Sequence, residues 1–187
     1  MSVKSTFLRT LTINSMLAQT IYTCFAGEYK SPILKQFSSI RIDDNLFEGK
    51  SYYFQEVNTM ASLIAEVNLP HQNLFVLDEV FKGTNTVERI AAAKAILSYL
   101  NRSNNIVVVS THDIELADML AGEYDLYHFT ETVVDDQLHF DHSIKRGQLK
   151  TRNAIRILEL SHYPAEIVNE ARQISATLST ARILTEK

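Results

Sequence analysis

A chain of 187 residues is long enough to bury a sizeable core and most simply forms one domain. Its 18 basic and 22 acidic residues give a formal net charge of −4, which argues against a surface that binds nucleic acid by itself. The single cysteine, Cys24, excludes an intrachain disulfide and fits a reducing cytoplasm. No apolar run approaches the ~20 residues that a membrane-spanning helix needs. We therefore expect a cytoplasmic globular protein that would meet DNA only through other domains or chains.

The predicted elements alternate between helices and strands along the chain. Helices are expected near 4–20, 52–67, 113–121, 151–160 and 164–182. Strands are expected near 21–26, 37–42, 73–78, 105–110, 125–131 and 137–144. The runs 73–78 and 105–110 are apolar on successive residues, which is typical of parallel strands covered on both faces. Asp135-Asp136 is a turn signal, so the last two strands are predicted to form an antiparallel hairpin.

The segment between the two apolar strands has the pattern of a helix. Apolar residues recur there at helical spacing, at Ile90, Ala93, Leu97 and Leu100. Asn85 followed by Glu88 resembles a capping box that would start this helix. In the helix predicted near 52–67, the apolar stripe is expected at Phe54, Val57, Ala61 and Ile64. The predicted fold is α/β, with helices on both faces of a mixed, mostly parallel sheet.

Lys4-Ser5-Thr6 opens the first predicted helix. A lysine followed by Ser or Thr at a helix start is typical of the end of a phosphate-binding loop. The ammonium of Lys4 would reach the β- and γ-phosphates and the hydroxyl of Ser5 would ligate Mg²⁺, beside the partly positive helix N-terminus. The competing interpretation is an ordinary solvated helix start.

Two adjacent carboxylates, Asp78 and Glu79, end the first apolar strand. Ligands of open α/β sheets bind at this edge, where Asp78 would hold Mg²⁺ and Glu79 would orient the attacking water. The alternative is a strand end with two solvated acids. Four residues later Gly83-Thr84-Asn85-Thr86 offers amides and hydroxyls to an anion, or simply caps the next helix. His112 follows the second apolar strand and is expected at the same sheet edge, within reach of a γ-phosphate or the attacking water. A structural histidine is the alternative, and the other histidines suggest no metal site.

In order and spacing, these segments resemble the C-terminal ATPase domain of the MutS family of DNA mismatch-repair proteins, a P-loop NTPase of the ABC-ATPase class. The similarity is carried by Met1–Arg9, 44–56, Leu77–Thr86 and Ser110–Leu116 and runs over roughly residues 1–175. Variant details after Val80 and at Arg152–Arg156 are similar to the divergent MutS-like branch. A different ABC-class ATPase, such as a transporter or chromosome-organising ATPase, is the alternative. Those proteins usually carry a Ser-Gly-Gly signature before the Asp-Glu strand. Here the Gly-Thr segment comes after that strand, which argues against the alternative.

The resemblance implies a division of labour between two paired ATPase domains. The residues implied to bind ATP in cis are Ser2, Lys4, Ser5 and Thr6. Those implied to hold Mg²⁺ are Ser5 and Asp78, and those implied to be catalytic are Glu79 and His112. Glu56 corresponds to the Q-loop position that follows Gly49. Gly83, Thr84, Asn85 and Thr86 are implied to complete the site of a partner, which would be a second copy or a MutS-like paralogue.

Two departures from the family pattern bear on this interpretation. Val3 replaces the glycine before the lysine, a position that often needs φ > 0 and would then strain a β-branched residue. Met1 also falls inside the loop, so the strand before the loop is expected to be missing from the sheet and its neighbours to keep unpaired edges. The expected domain spans 1–187, truncated at its N-terminus, with a helical part at 151–187. A misplaced start codon, a decayed gene and a true short protein remain open, as does a nucleotide-incompetent remnant or dimerisation module.

Overall fold

The computed structural model describes residues 3–40, 52–102, 104–134, 137–149 and 154–185. The chain divides into two compact units, Met1–Leu126 and Tyr127–Lys187. The elements of the first unit are α1 (Val3–Ile21), β1 (Lys35–Ser39), α2 (Tyr52–Glu66), β2 (Asn73–Asp78), α3 (Thr86–Leu100), β3 (Ile106–Ser110) and α4 (Ile114–Leu120). Those of the second are β4 (Tyr127–His128), β5 (Glu131–Val134), β6 (Gln137–Phe140), β7 (Lys145–Arg146), α5 (Ala154–Leu160) and α6 (Ala165–Thr185).

The sheet of the first unit has three parallel strands in the order β1-β2-β3. The central strand β2 is the most buried element, because its apolar run is covered on both faces. In the β2–β3 register Asp78 lies opposite Ser110. The carboxyl ends of these strands therefore meet at one edge, as the sequence predicts.

Alternate residues of β2 face two separate cores. Phe75 and Leu77 point into the larger one, which is built with apolar residues of α2, α3 and α4. Leu74 and Val76 point into the smaller one, where they meet Leu8 of α1 and Leu34. Each such side chain contributes roughly 1.5–3 kcal/mol when fully buried. Helices thus cover both faces of the sheet, and the predicted β-α-β unit is confirmed as β2-α3-β3.

The second unit contains two antiparallel ladders, β4 with β7 and β5 with β6. The predicted hairpin is confirmed in orientation, although its first strand begins at Glu131; Asp135 and Asp136 lie outside the described residues. The expected mixed sheet is wrong. Over the described parts of the chain, the parallel sheet has three strands and each antiparallel pair is a ladder of its own. β4 and β7 are only two residues long, so their ladder offers few hydrogen bonds.

The strand predicted at 21–26 is wrong. The helix α1 continues to Ile21, and Tyr22 then adopts a left-handed backbone with φ 57°, which an extended strand cannot accommodate. Tyr22 is 91% exposed and Phe25 is 85% exposed, so this apolar run does not enter either core. The predicted strand 37–42 overlaps β1 as far as Ser39, and its end falls outside the described residues.

The predicted stripe of α2 is confirmed in part, because Val57 and Ile64 pack against the larger core whereas Ala61 is exposed. Met60, Leu63 and Val67 are buried, together with the charged Glu56. Phe54 is 52% exposed instead. The carboxylate of Glu56 needs this inward position because it accepts hydrogen bonds from a loop beneath the helix. Within the described residues, no helix combines the length and the apolar character that crossing a membrane requires.

Candidate active site

The carboxylate of Asp78 joins three elements at the carboxyl edge of the sheet. Its Oδ2 accepts a 2.6 Å hydrogen bond from the hydroxyl of Ser5, in the first turn of α1. Its Oδ1 accepts one from the hydroxyl of Ser110, at the end of β3. Burial raises the pKa of Asp78, but the bonds from Ser110 and Ser5 and the charges of two lysines outweigh it, and the pKa lies below its ordinary value. Asp78 is therefore an anion in contact with a helix N-terminus and a strand end.

Glu79 leaves the strand in a left-handed conformation. Its φ is 56°, which costs a non-glycine residue roughly 1–2 kcal/mol. Its backbone N–H still donates to the carbonyl of Ser110 at 3.0 Å. Beyond that point its Oε1 accepts a hydrogen bond from Nε2 of His112 at 2.8 Å, and its Oε2 forms an ion pair with Lys82 Nζ at 2.7 Å. The backbone turn lets two consecutive acids serve one edge, whereas consecutive residues of a strand point to opposite faces.

Lys4 reaches across to the segment that follows β3. Its ammonium donates to the carbonyl of Thr111 at 2.8 Å and lies 3.1 Å from Nδ1 of His112. Burial lowers the pKa of Lys4, and the nearby charges of Glu79 and Asp78 offset this only in part. The lysine is thus a desolvated cation facing the acid pair.

The contacts of His112 define its tautomer. A lysine ammonium only donates and a glutamate carboxylate only accepts. His112 must therefore accept at Nδ1 from Lys4 and donate from Nε2 to Glu79. The imidazole is neutral in this arrangement and links the cation to the carboxylate.

Glu56, which the resemblance places at the Q-loop position, lies beneath the loop that follows Glu79. It is only 4% exposed, and its carboxylate accepts from the backbone N–H groups of Lys82 at 3.2 Å and Gly83 at 3.3 Å. Burial raises the pKa of Glu56, and the backbone hydrogen bonds oppose that rise. Phe81, with φ 61°, is also left-handed, and the two N–H groups that follow it are bonded to this carboxylate. The structure makes Glu56 a support of the loop.

The Gly83–Thr86 segment lies on the surface and starts α3. Asn85 Oδ1 accepts from the N–H of Glu88 at 3.0 Å, and Asn85 Nδ2 donates to the Glu88 carboxylate at 2.5 Å. The predicted cap is confirmed, with both of these contacts made by the amide side chain of Asn85. Val87 beside the segment is 79% exposed. The segment is therefore exposed together with the apolar side chain of Val87, although its Gly83 N–H and its Asn85 amide are hydrogen-bonded within the chain.

A cleft of about 150 Å³ opens beside these residues. Its lining residues are Glu79, Val80, Lys82, Arg89, Thr111, His112 and Asp113. Among the described residues, those that do not line this cleft include Lys4, Ser5 and Asp78 as well as the segment Gly83–Thr86. Thr6 lies exposed in the first turn of α1, and Ser2 falls outside the described residues.

Sequence reasoning missed Lys82, Arg89 and Asp113. Arg89 donates to Asp113 from Nε at 3.1 Å and from an Nη atom at 2.7 Å. Lys82 precedes Gly83 and Asp113 follows His112, so charge next to a motif residue was the available signal. Nothing in the sequence pairs Arg89 with Asp113, because the two residues are 24 positions apart.

The donor set fits a nucleotide-bound magnesium ion. Mg²⁺ prefers oxygen ligands and is usually held by one or two protein groups together with phosphates and water. The neighbouring oxygens of Ser5 and Asp78 provide such a pair. In the described parts of the chain no group of three or more His, Cys, Asp or Glu side chains could hold a metal by itself.

Val3 is accommodated without backbone strain. It is the first residue of α1 and has a right-handed helical backbone, unlike the left-handed positions found elsewhere in the chain. The expected strain from replacing glycine is therefore wrong for the backbone in this structure. Only the valine side chain distinguishes the position from the family pattern.

Comparison with known proteins identifies the family to which the chain belongs. The family model for MutS domain V matches residues 1–179. DNA mismatch repair protein MutS of Pseudothermotoga lettingae is 30% identical over 192 residues, covering 100% of this chain and 23% of the relative. The MutS protein of Fusobacterium nucleatum subsp. nucleatum is also 30% identical over 192 residues, with 21% of its length covered. DNA mismatch repair protein MutS 2 of Halobacterium salinarum is 28% identical over 188 residues, with 97% of this chain and 21% of the relative covered. The chain spans about a fifth of the length of these relatives, and it belongs to the MutS domain V family.

Proposed function

We propose that this chain is the ATP-binding and hydrolysing domain of a MutS-like DNA mismatch-repair protein, a P-loop NTPase of the ABC-ATPase class. The supporting observation is the contact network at the sheet edge, in which Lys4 and Glu79 both meet His112 while Ser5 meets Asp78. A cation, a hydroxyl, two acids and a neutral imidazole at one edge are groups that can position and stabilise a transferring phosphoryl group.

The proposed roles follow from the charge and the geometry of each group. Lys4, now bound to a carbonyl and an imidazole, would exchange these partners for the β- and γ-phosphates. Ser5 and Asp78 would hold Mg²⁺, which supplies charge neutralisation for the phosphates. Glu79 would orient and polarise the attacking water, because its carboxylate ends in the cleft beside His112. His112 can donate from Nε2 to a γ-phosphate oxygen or to that water.

The proposed partner is a second ATPase domain, from another copy or a MutS-like paralogue. Gly83–Thr86 would complete the partner's nucleotide site, since this segment lies on the surface at the start of α3. ATP binding and hydrolysis would then switch DNA-embracing domains outside this chain. With a net charge of −4, the chain itself is not expected to hold DNA.

A titration with a fluorescent ATP analogue and Mg²⁺ tests the proposal. We expect binding well below millimolar, and Lys4→Ala should weaken it at least about tenfold by removing a charge-assisted contact worth roughly 1.5–3 kcal/mol. Lys35→Ala is the matched control, because Lys35 starts β1 and pairs with Glu66. Binding no tighter than millimolar that Val3→Gly does not improve would favour a nucleotide-incompetent remnant.

A further inference from the structure

The ion pair between Arg89 and Asp113 lies beside the proposed catalytic groups and has no role assigned so far. It joins α3, just after Gly83–Thr86, to the segment that links β3 to α4. The contact is bidentate, and the two side chains are only 22% and 20% exposed. Bidentate guanidinium–carboxylate pairs fix orientation as well as distance, because both groups are planar.

Asp113 pairs with Arg89 and does not cap its own helix, α4. It is the N-cap residue of α4, where an aspartate side chain normally accepts from the first turn of its own helix. No such side-chain cap bond is present. The carboxylate is bonded to Arg89 instead, which indicates that the direction of this segment, more than the start of α4, is what the side chain fixes.

The segment held by Asp113 carries the groups that contact the ammonium of Lys4. The N–H of Asp113 donates to the hydroxyl of Thr111 at 3.0 Å, which closes a tight turn around His112. The carbonyl of Thr111 accepts a hydrogen bond from the ammonium of Lys4. The side chain of His112 is 66% exposed, so it has little packing to orient it and depends on its backbone and its two polar contacts.

We infer that Arg89 is a positioning residue of the proposed ATPase site: through Asp113 it holds the 111–113 segment so that His112 stays between Lys4 and Glu79. The inference rests on the proposed function for its consequence, but the positioning itself concerns contacts within this chain. Arg89 also follows Gly83–Thr86 by a single helical turn. If a partner displaced that segment, the ion pair between Arg89 and Asp113 would therefore transmit the movement to His112.

The first experiment records the ring nitrogen and proton resonances of the histidines in the full 187-residue chain without nucleotide. His112→Gln assigns the His112 signals, and His71, which pairs with Glu66, serves as an internal reference. We expect wild-type His112 to show the single Nε2–H tautomer. Arg89→Ala should move its signals toward a tautomer mixture and leave those of His71 in place.

Two further variants keep this test decisive. Asp113→Asn retains the shape and capping ability of the side chain while removing its charge, and should displace the His112 signals as Arg89→Ala does. Lys94→Ala is the matched control, because Lys94 also ties α3 to the chain after α4, through Glu123, but lies away from the cleft. Unchanged His112 signals in folded Arg89→Ala or Asp113→Asn protein, or an equal change in Lys94→Ala, would overturn the inference.

A second experiment separates failure of this inference from failure of the proposed function. If the chain hydrolyses MgATP, Arg89→Ala should lower kcat by about tenfold or more and leave KM within about twofold, as expected when a transition-state contact is misplaced. A rise in KM alone would contradict the positioning role. If the chain binds no nucleotide, the proposed function fails, and the histidine spectra still decide whether Arg89 orients His112.

Discussion

The two ends of strands β2 and β3 are both polar, and they are polar in different ways. At the amino end Asn73 is fully buried and donates to the carbonyl of Glu66 and to Asn105. Asn105 in turn donates to the carbonyls of Val67, Leu100 and Arg102. These neutral amides satisfy carbonyls at the ends of α2 and α3, which have no partner within their helices.

At the carboxyl end the polar groups are charged and face one another. Lys4, His112 and Glu79 are joined side chain to side chain, Asp78 is bonded to the hydroxyls of Ser5 and Ser110, and Glu79 has a strained backbone. Amides that hydrogen-bond the carbonyls at helix ends stabilise the fold, whereas charged groups clustered beside a cleft are typical of functional sites. Changes at the amino end should therefore lower stability, and changes at the carboxyl end should lower function.

The largest effect is expected for Glu79→Gln. Loss of the carboxylate that would polarise water should lower ATP turnover by about 10²–10⁴-fold while nucleotide binding is retained. Steady-state hydrolysis and the ATP-analogue titration measure the two properties. Multiple-turnover hydrolysis at the wild-type rate in this variant would contradict the role of Glu79.

Asn73→Ala should produce the reverse pattern. It removes two buried hydrogen bonds, although the carbonyl of Glu66 keeps the N–H of Leu69 as a donor, so we expect the free energy of unfolding to fall by about 1–3 kcal/mol. Urea unfolding measures the change, and exposed Asn104→Ala is the matched control. Nucleotide affinity of the folded fraction should not change. A loss of affinity without a loss of stability would break the contrast between the two ends.

Glu56→Gln tests the support beneath the loop. An amide can accept fewer hydrogen bonds than a carboxylate, so the loop at 81–83 should loosen and the free energy of unfolding should fall by about 1 kcal/mol. Hydrogen exchange at the amides of Lys82 and Gly83 reports the loosening. Unchanged protection of both amides would show that the loop holds itself.

The smallest effect concerns acid stability. The folded pKa of Asp78 is lowered, so its carboxylate contributes stability that is present above the ordinary value of 3.8 and is lost as pH falls through the lower folded value. Asp78→Asn should therefore flatten the fall in unfolding free energy below about pH 4. Urea titrations between about pH 5 and 3 measure this slope, and exposed Asp118→Asn is the control. A slope equal to that of wild type would contradict the lowered pKa.

The sequence predicts those parts of the molecule that depend on local pattern. The apolar runs before Asp78 and Ser110 predict two parallel strands, and parallel strands bring Glu79 and His112 to one edge. The pattern fails where a single backbone angle decides, as at Tyr22, whose left-handed φ ends the predicted strand. It also fails where a contact joins residues far apart in sequence, as with Arg89 and Asp113, because the charge of a residue does not indicate which distant residue it will pair with.

The left-handed backbone of Glu79 has a consequence for anyone who selects variants of this protein. Glycine and asparagine adopt this conformation more easily than glutamate does. A library screened only for thermal tolerance should therefore enrich Gly or Asn at position 79 and discard the carboxylate. Heat-resistant clones from such a screen would be the wrong ones to carry into an enzymatic assay.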